Sequence, residues 1–253
     1  MAGESGCPGK GKRDALTGGR NWKGNGKMEF RHEYKFIISV SQSAVLQNRL
    51  SGLMERDSHS GTAGGYEIRS IYFDDMNNTC YKQNEAGTDP RAKYRIRSYN
   101  ASGGRIVLEK KIKKNGMTKK LHEDIDAEQY GMLMEDSKGT FFFEEPPLVQ
   151  ELLALKQMRR MEPKVIVAYD RIPFIEEKGN VRVTFDDHIS SSSDFEGFFE
   201  ADLHKRPIMP LGQTLMEVKF DEFLPGYIKD ALELGRLSQI NFSKYYLCRR
   251  YSL

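Results

Sequence analysis

The sequence predicts an α+β protein, an antiparallel eight-stranded sheet or barrel with helices packed outside it. Three observations lead to this class. Eight short segments are rich in aromatic and β-branched residues and are bounded by Gly, Asn or Pro. Only four stretches carry a helical apolar period, and they do not alternate strictly with the strands, which argues against a parallel sheet. Along nearly every strand one parity is apolar and the other is charged.

Taken in order, the strands are expected at Phe30–Ser39, Tyr66–Asp74, Lys93–Tyr99, Arg105–Lys113, Thr118–Asp126, Lys164–Ile172, Val181–Asp186 and Leu215–Phe220. Helices are expected at Ser41–Arg56, with Ser41 as N-cap, and at Ala127–Asp136, Leu148–Arg159 and Pro225–Leu237. Residues 186–212, with the run Ser190–Ser193 and several Gly and Pro, read as a long surface excursion. No internal repeat is present.

Of 253 residues, 38% are hydrophobic and 30% charged, with a mean hydropathy of −0.62, which excludes wholesale disorder and a membrane bundle. No stretch approaches the roughly 20 apolar residues that span a bilayer, and no apolar segment follows the basic N-terminus as in a secretory signal. A cytoplasmic location is therefore expected. Cys7, Cys80 and Cys248 lack metal-ligand spacing and fit a reducing compartment.

Residues 1–27 hold eight glycines and six basic residues against Glu4 and Asp14, a composition that predicts a disordered basic leader ahead of a domain spanning 28–253. Within it, Gly6–Lys12 superficially matches a phosphate-binding P-loop. Arg13 stands where a Ser or Thr would hold magnesium, and the strand–loop–helix context is missing, so the match is rejected. Without the leader the chain has 33 basic and 34 acidic residues. Its net charge of −1 gives no reason to expect a nucleic-acid partner, and the direction in which the cations point becomes the question.

Strand parity answers it. Arg31, Glu33 and Lys35 share a face, as do Arg91, Lys93, Arg95 and Arg97. So do Glu109, Lys111 and Lys113, then Lys120 and His122, then Arg182, Thr184 and Asp186, and finally Glu217 and Lys219. A solvated outer face mixes small polar residues and both charge signs. Here Lys and Arg recur on one parity with few carboxylates. If the sheet closes, eight strands enclose room for one ligand. Cations packed together repel unless a polyanion neutralises them, and a phosphate chain suits both the Arg fork and the Lys point charge. Glu33, Glu109 and Glu217 would be wasteful in a pure anion site, and read as ligands for a hard divalent metal that bridges phosphate oxygens. His122 is read as structural, and Tyr72 and Tyr99 as wall-packing aromatics.

The motifs R-H-E-Y-K (31–35), I-Y-F-D (71–74), K-Y-R-I-R-S-Y (93–99), L-E-K-K (108–111), Y-D-R (169–171), V-R-V-T-F-D (181–186), M-E-V-K-F (216–220) and F-S-K-Y (242–245) follow one another in order. Together they resemble the polyphosphate polymerase domain of vacuolar transporter chaperone type, a branch of the triphosphate tunnel metalloenzymes. The resemblance covers residues 28–253. It implies a closed antiparallel tunnel that takes ATP and inorganic polyphosphate, a divalent metal (manganese first, magnesium second), and transfer of the γ-phosphate onto the chain. It also implies phosphate-binding roles for Arg95, Arg97, Lys111, Arg171, Arg182, Lys120, Ser243 and Lys244, and a metal-holding role for Glu217. Parity adds Lys35, Lys93, Lys113 and Lys219 to the expected substrate contacts.

Two positions depart from the pattern. Hydrolytic and cyclase relatives open with E-x-E-x-K, whereas Arg31 stands at the first Glu here, which favours the polymerase branch and weakens a metal role for Glu33. Asn241 occupies a place where that family can have Lys. A tunnel-fold triphosphatase and a non-catalytic polyphosphate- or inositol-phosphate-binding module are the alternatives. An RNA-binding sheet is disfavoured by the lack of inward aromatic pairs among the cations. A membrane partner is compatible with the sequence, and the oligomeric state is not specified by it. Arg95→Ala or Arg182→Ala is expected to cripple turnover and leave the fold intact.

Overall fold

A computed structural model describes residues 30–57, 60, 64–135 and 145–251. The leader, with its P-loop-like stretch, Cys7 and Met28, lies outside the described residues, as does Asp136 at the end of the second expected helix. In chain order the elements are β1 (His32–Ser39), α1 (Val40–Ser51), β2 (Glu55–Arg56), β3 (Tyr66–Asp74), α2 (Thr79–Glu85), β4 (Arg91–Tyr99), β5 (Ser102–Lys114) and β6 (Met117–Ile125). There follow α3 (Ala127–Met134), α4 (Pro147–Arg159), β7 (Glu162–Glu176), β8 (Val181–Ser192), β9 (Arg206–Pro207), β10 (Gln213–Phe220), α5 (Gly226–Leu232) and α6 (Lys244–Arg250). All eight expected strands are present. Among the described residues no helix is long and apolar enough to cross a membrane.

All strand pairs of the sheet are antiparallel, in the order β1-β10-β8-β7-β3-β4-β5-β6, with β2 added to β7 and β9 to β8. The expected closed eight-stranded barrel is not what forms. The two outer strands of the path meet at a single bridge, where Arg31 and Thr118 exchange backbone hydrogen bonds of 3.0 and 3.2 Å. Past that bridge Glu33 of β1 reaches across the gap, its carboxylate accepting from Thr118 Oγ1 of β6 at 3.3 Å and from Lys111 Nζ of β5 at 2.9 Å.

Helices cover the apolar parity of the strands. Val149 and Leu152 of α4 pack with Ile71, Phe73, Ile96 and Leu108, while Leu46 and Leu50 of α1 pack with Phe174, Val183, Phe185 and Val218. The expected start of α1 at Ser41 is corrected to Val40. Ser39 caps the helix, its Oγ accepting from Gln42 N at 3.1 Å while Gln42 Oε1 accepts from Ser39 N at 2.9 Å, a reciprocal box that uses both orphan groups. The helix also stops at Ser51 rather than Arg56, with Gly52 as its C-cap, and Glu55–Arg56 pair with β7 instead.

Two further differences matter for function. The stretch from 186 on is no simple surface excursion: β8 runs to Ser192, whose neighbours Ser190 and Ser191 are buried in register with Ala168 and Val167. Arg69, 1% exposed, donates to the carbonyls of Phe198, Glu200 and Ala201 and ties the following turn down. Helices α2 and α6 were not expected at all. Tyr245 and Cys248 of α6 pack on Ile68, Tyr72, Val165, Val167 and Leu215, on the face of β3 opposite Ile71 and Phe73.

Candidate functional site

A cavity of about 990 Å³ lies against the charged parity of the strands. The register of the sheet assembles its wall. Lys93 sits opposite Lys111, and Lys111 opposite Lys120; Arg95 faces Glu109. On the other side Lys35 faces Glu217, Glu33 faces Lys219, Lys219 faces Arg182, and Arg171 faces Asp186. Because side chains alternate along each strand, these pairings bring cations from seven strands to one concave surface. Of the residues expected from the sequence, Glu33, Lys35, Lys93, Arg95, Arg97, Lys111, Lys113, Lys120, Arg171, Arg182, Glu217, Lys219, Ser243 and Lys244 all line the cavity. Asn241 lines it as well, so that position contributes no charge.

The wall carboxylates hold the cations in place. Glu109 accepts from Arg95 Nε at 2.7 Å and Lys120 Nζ at 3.1 Å, with Arg97 at 3.4 Å. Asp186 takes both ends of the Arg171 fork at 2.6 Å and Lys244 at 2.6 Å. Glu217 meets Lys219 and Lys244 at 2.8 Å, with Lys35 and Arg171 at 3.8 Å. Glu33 meets Lys111 at 2.9 Å, with Lys35 at 3.6 Å and Lys219 at 3.8 Å. Eight cations thus share four carboxylates, and the surplus positive charge is not neutralised by the described protein. Two buried guanidinium nitrogens, Arg97 Nε and Arg182 Nε, have no hydrogen-bond partner among the described residues. An orphaned buried donor costs about 1–3 kcal/mol.

Burial alone would push these carboxyls up. Instead Lys111, Lys35 and Lys219 hold Glu33 well below its ordinary 4.5, Arg95, Arg97 and Lys120 do the same to Glu109, and Lys219, Lys244, Lys35 and Arg171 to Glu217. The depressed values fix the sign of a pH effect. Stability from these pairs is fully present above pH 4.5, the value in the unfolded chain, and is lost as pH falls through the lower folded values. The Tm is therefore expected to drop steeply with acidification below about 4.5. A Tm that stays flat through that range would show that the pairs contribute nothing. On the cationic side, burial lowers Lys219 to about 8 despite Glu217 and Glu33. Burial also lowers Lys244, but Asp186 and Glu217 outweigh it and raise that amine.

The expected three-carboxylate metal set is corrected. Among the described residues no group of three or more His, Cys, Asp or Glu is arranged to hold a metal. Glu109 does not line the cavity and is 1% exposed, sealed behind Arg95, Arg97 and Lys120, so its work is to hold those side chains. Glu33 and Glu217 line the cavity and share Lys35 and Lys219. Two carboxylates on one wall are hard oxygen donors that could hold a divalent cation.

The expectation for Arg95→Ala also changes. Arg95 is the strongest partner of a sealed carboxylate, so its loss is expected to cost about 3 kcal/mol of stability, visible in denaturant unfolding, in addition to function. Arg182 is a third exposed but pairs at 2.5 Å with Asp57, whose side chain is 7% exposed, so Arg182→Ala is expected to leave the fold intact with a smaller loss of stability than Arg95→Ala. Sequence reasoning missed Asp186 as the partner of Arg171 and Lys244, although parity had placed it on the charged face. It also missed Tyr169, whose ring lies under Arg171 at 5.1 Å and Lys244 at 4.7 Å.

The sequence model of the VTC domain matches residues 30–252. No curated protein matches this chain at a significant level. Among solved structures, a candidate adenylyl cyclase from Hippeastrum, described as having a dominant triphosphatase activity, is 14% identical with a TM-score of 0.53, over 89% of this chain and 97% of that one. A candidate adenylate cyclase from Bacillus halodurans is 14% identical with a TM-score of 0.46, over 80% of this chain and 86% of that one. At this identity the Hippeastrum likeness speaks for a common fold.

Proposed function

This chain belongs to the VTC domain family, and on that premise we propose that it transfers the γ-phosphoryl group of ATP onto inorganic polyphosphate within the cationic cavity. The observation that carries the reading is the wall itself, on which eight ordered cations outnumber the four carboxylates that fix them. In the reaction the bond between the γ-phosphorus and the β–γ bridging oxygen breaks, a bond from that phosphorus to the terminal oxygen of the chain forms, and ADP leaves. Such a transfer needs positioning and charge stabilisation more than covalent chemistry.

Arg95, Arg97, Lys111, Arg171 and Arg182 are assigned to the charge that spreads over the moving phosphoryl group. Lys35, Lys93, Lys113, Lys120, Lys219, Ser243 and Lys244 are assigned to the chain on either side. The Arg171 fork is held flat by Asp186, and Arg95 is held by Glu109 and by Tyr72 Oη at 2.8 Å, so the donors are oriented before substrate arrives. A manganese or magnesium ion at Glu217 and Glu33 would neutralise phosphate charge.

Incubation with ATP and manganese is expected to yield ADP and a ladder of phosphate chains on a gel. Orthophosphate release from short triphosphates without a ladder would assign the site to hydrolysis. Tight binding of tripolyphosphate without turnover would leave a binding module.

A further inference from the structure

Two of the sequence motifs end on residues that the phosphate assignments leave unused: Asp74 closes I-Y-F-D and Tyr245 closes F-S-K-Y. In the structure they meet, with Tyr245 Oη donating to Asp74 Oδ2 at 2.6 Å. Asp74 is 0% exposed and does not reach the cavity. It also meets the Cys80 thiol and three backbone amides: Oδ1 accepts from Asp75 N at 2.9 Å and Cys80 N at 2.8 Å, and Oδ2 accepts from Tyr81 N at 3.0 Å. One carboxylate therefore ties the first turn of α2 to the first turn of α6.

Both ends of this tie converge on Lys93. Asn84 of α2 accepts from Lys93 Nζ at 2.5 Å, and Ser243, the cap of α6, accepts from the same nitrogen at 3.1 Å. The Tyr245 ring lies 5.0 Å from that nitrogen. Lys93 differs from the cations described above, since among the described residues no carboxylate pairs with it; burial, and then Lys111, Arg91 and Lys35, push its amine well below the ordinary 10.5, so an anion in the cavity would be what restores its full charge. An ammonium held only by neutral acceptors points where those acceptors are placed. We propose that Asp74 and Tyr245 are a positioning pair that fixes α2 and α6 around Lys93 and so aims its ammonium group at a phosphate chain in the cavity. The ligand in this statement rests on the proposed function; the geometry does not.

The test uses the full chain and Tyr245→Phe, which deletes one hydroxyl and keeps the ring. Inorganic tripolyphosphate is the probe. Its Kd is expected to weaken about tenfold in Tyr245→Phe, the scale of a hydrogen bond to a charged group. In a Lys93→Ala background the same substitution is expected to change Kd by less than about twofold, because the residue it acts through is gone. An equal loss in both backgrounds would make the pair a mere structural clamp and overturn the proposal. A second readout needs no ligand. Exchange of the Lys93 ammonium protons, followed by NMR and assigned by their loss in Lys93→Ala, is expected to quicken at least about tenfold in Tyr245→Phe, since protection requires the closed arrangement. Unchanged exchange would also overturn the proposal. Failure of the parent to bind tripolyphosphate would count against the proposed function alone, and the exchange measurement would then decide the positioning role.

Discussion

Arg97→Ala is expected to lower turnover by about 10²–10³-fold, the usual cost of deleting one preorganised donor at a developing charge, while barely moving the unfolding midpoint. The asymmetry between Arg97 and its neighbour Arg95 is the reason. Arg95 binds Glu109 through Nε at 2.7 Å and through a terminal nitrogen at 2.5 Å, and so satisfies a sealed carboxylate. Arg97 touches Glu109 only at 3.4 Å and leaves a buried Nε without a partner among the described residues. Its donors are thus kept available rather than consumed by the fold. Tripolyphosphate should raise the Tm of the parent, because it binds the native state only, and should raise that of Arg97→Ala far less at the same concentration. If Arg97→Ala unfolds as readily as Arg95→Ala and binds tripolyphosphate like the parent, Arg97 is a structural residue and the cavity assignment loses its best-placed donor.

The alternation of charge with Tyr94, Ile96, Leu108, Ile112, Val183 and Val218 was enough to place the strands and to bring eleven of the twelve expected residues it assigned to one cavity, while Arg171, Ser243 and Lys244 came from the family resemblance alone. It worked because strand parity is local, set by the pleat and by which face can be buried. Glu109 escaped it for a related reason: parity says which face a side chain takes, not how deep it lies beneath its neighbours. The open edge escaped it too, since whether β1 and β6 ladder depends on sheet curvature, which has no local signature. Helix α6 was illegible because its seven residues, Lys244–Arg250, carry three charges and its apolar side chains face inward from a short turn. Its value lies in long-range contacts such as Tyr245 with Asp74.

Glu217→Gln should separate charge balance from binding. Glu217 is 4% exposed and is the shared partner of Lys219, Lys244, Lys35 and Arg171. Glutamine keeps the shape and removes one negative charge from among four positive ones, so the empty cavity becomes self-repelling and the Tm is expected to fall by several degrees. Metal-dependent turnover is expected to drop at least about 10³-fold, because the hard anionic donor is gone. Affinity for tripolyphosphate without metal, measured near pH 6.5, should be unchanged or up to about tenfold tighter, since the ligand now meets a larger positive potential. The charge of Glu217 is also the larger of the two carboxylate influences that keep Lys219 as high as about 8. Without it Lys219 gives up its proton at lower pH, so phosphate affinity in Glu217→Gln should decline with rising pH before that of the parent does. Loss of tripolyphosphate affinity in step with turnover would reverse this argument: Glu217 would then serve only to hold the cations in register, and the divalent ion would need another anchor.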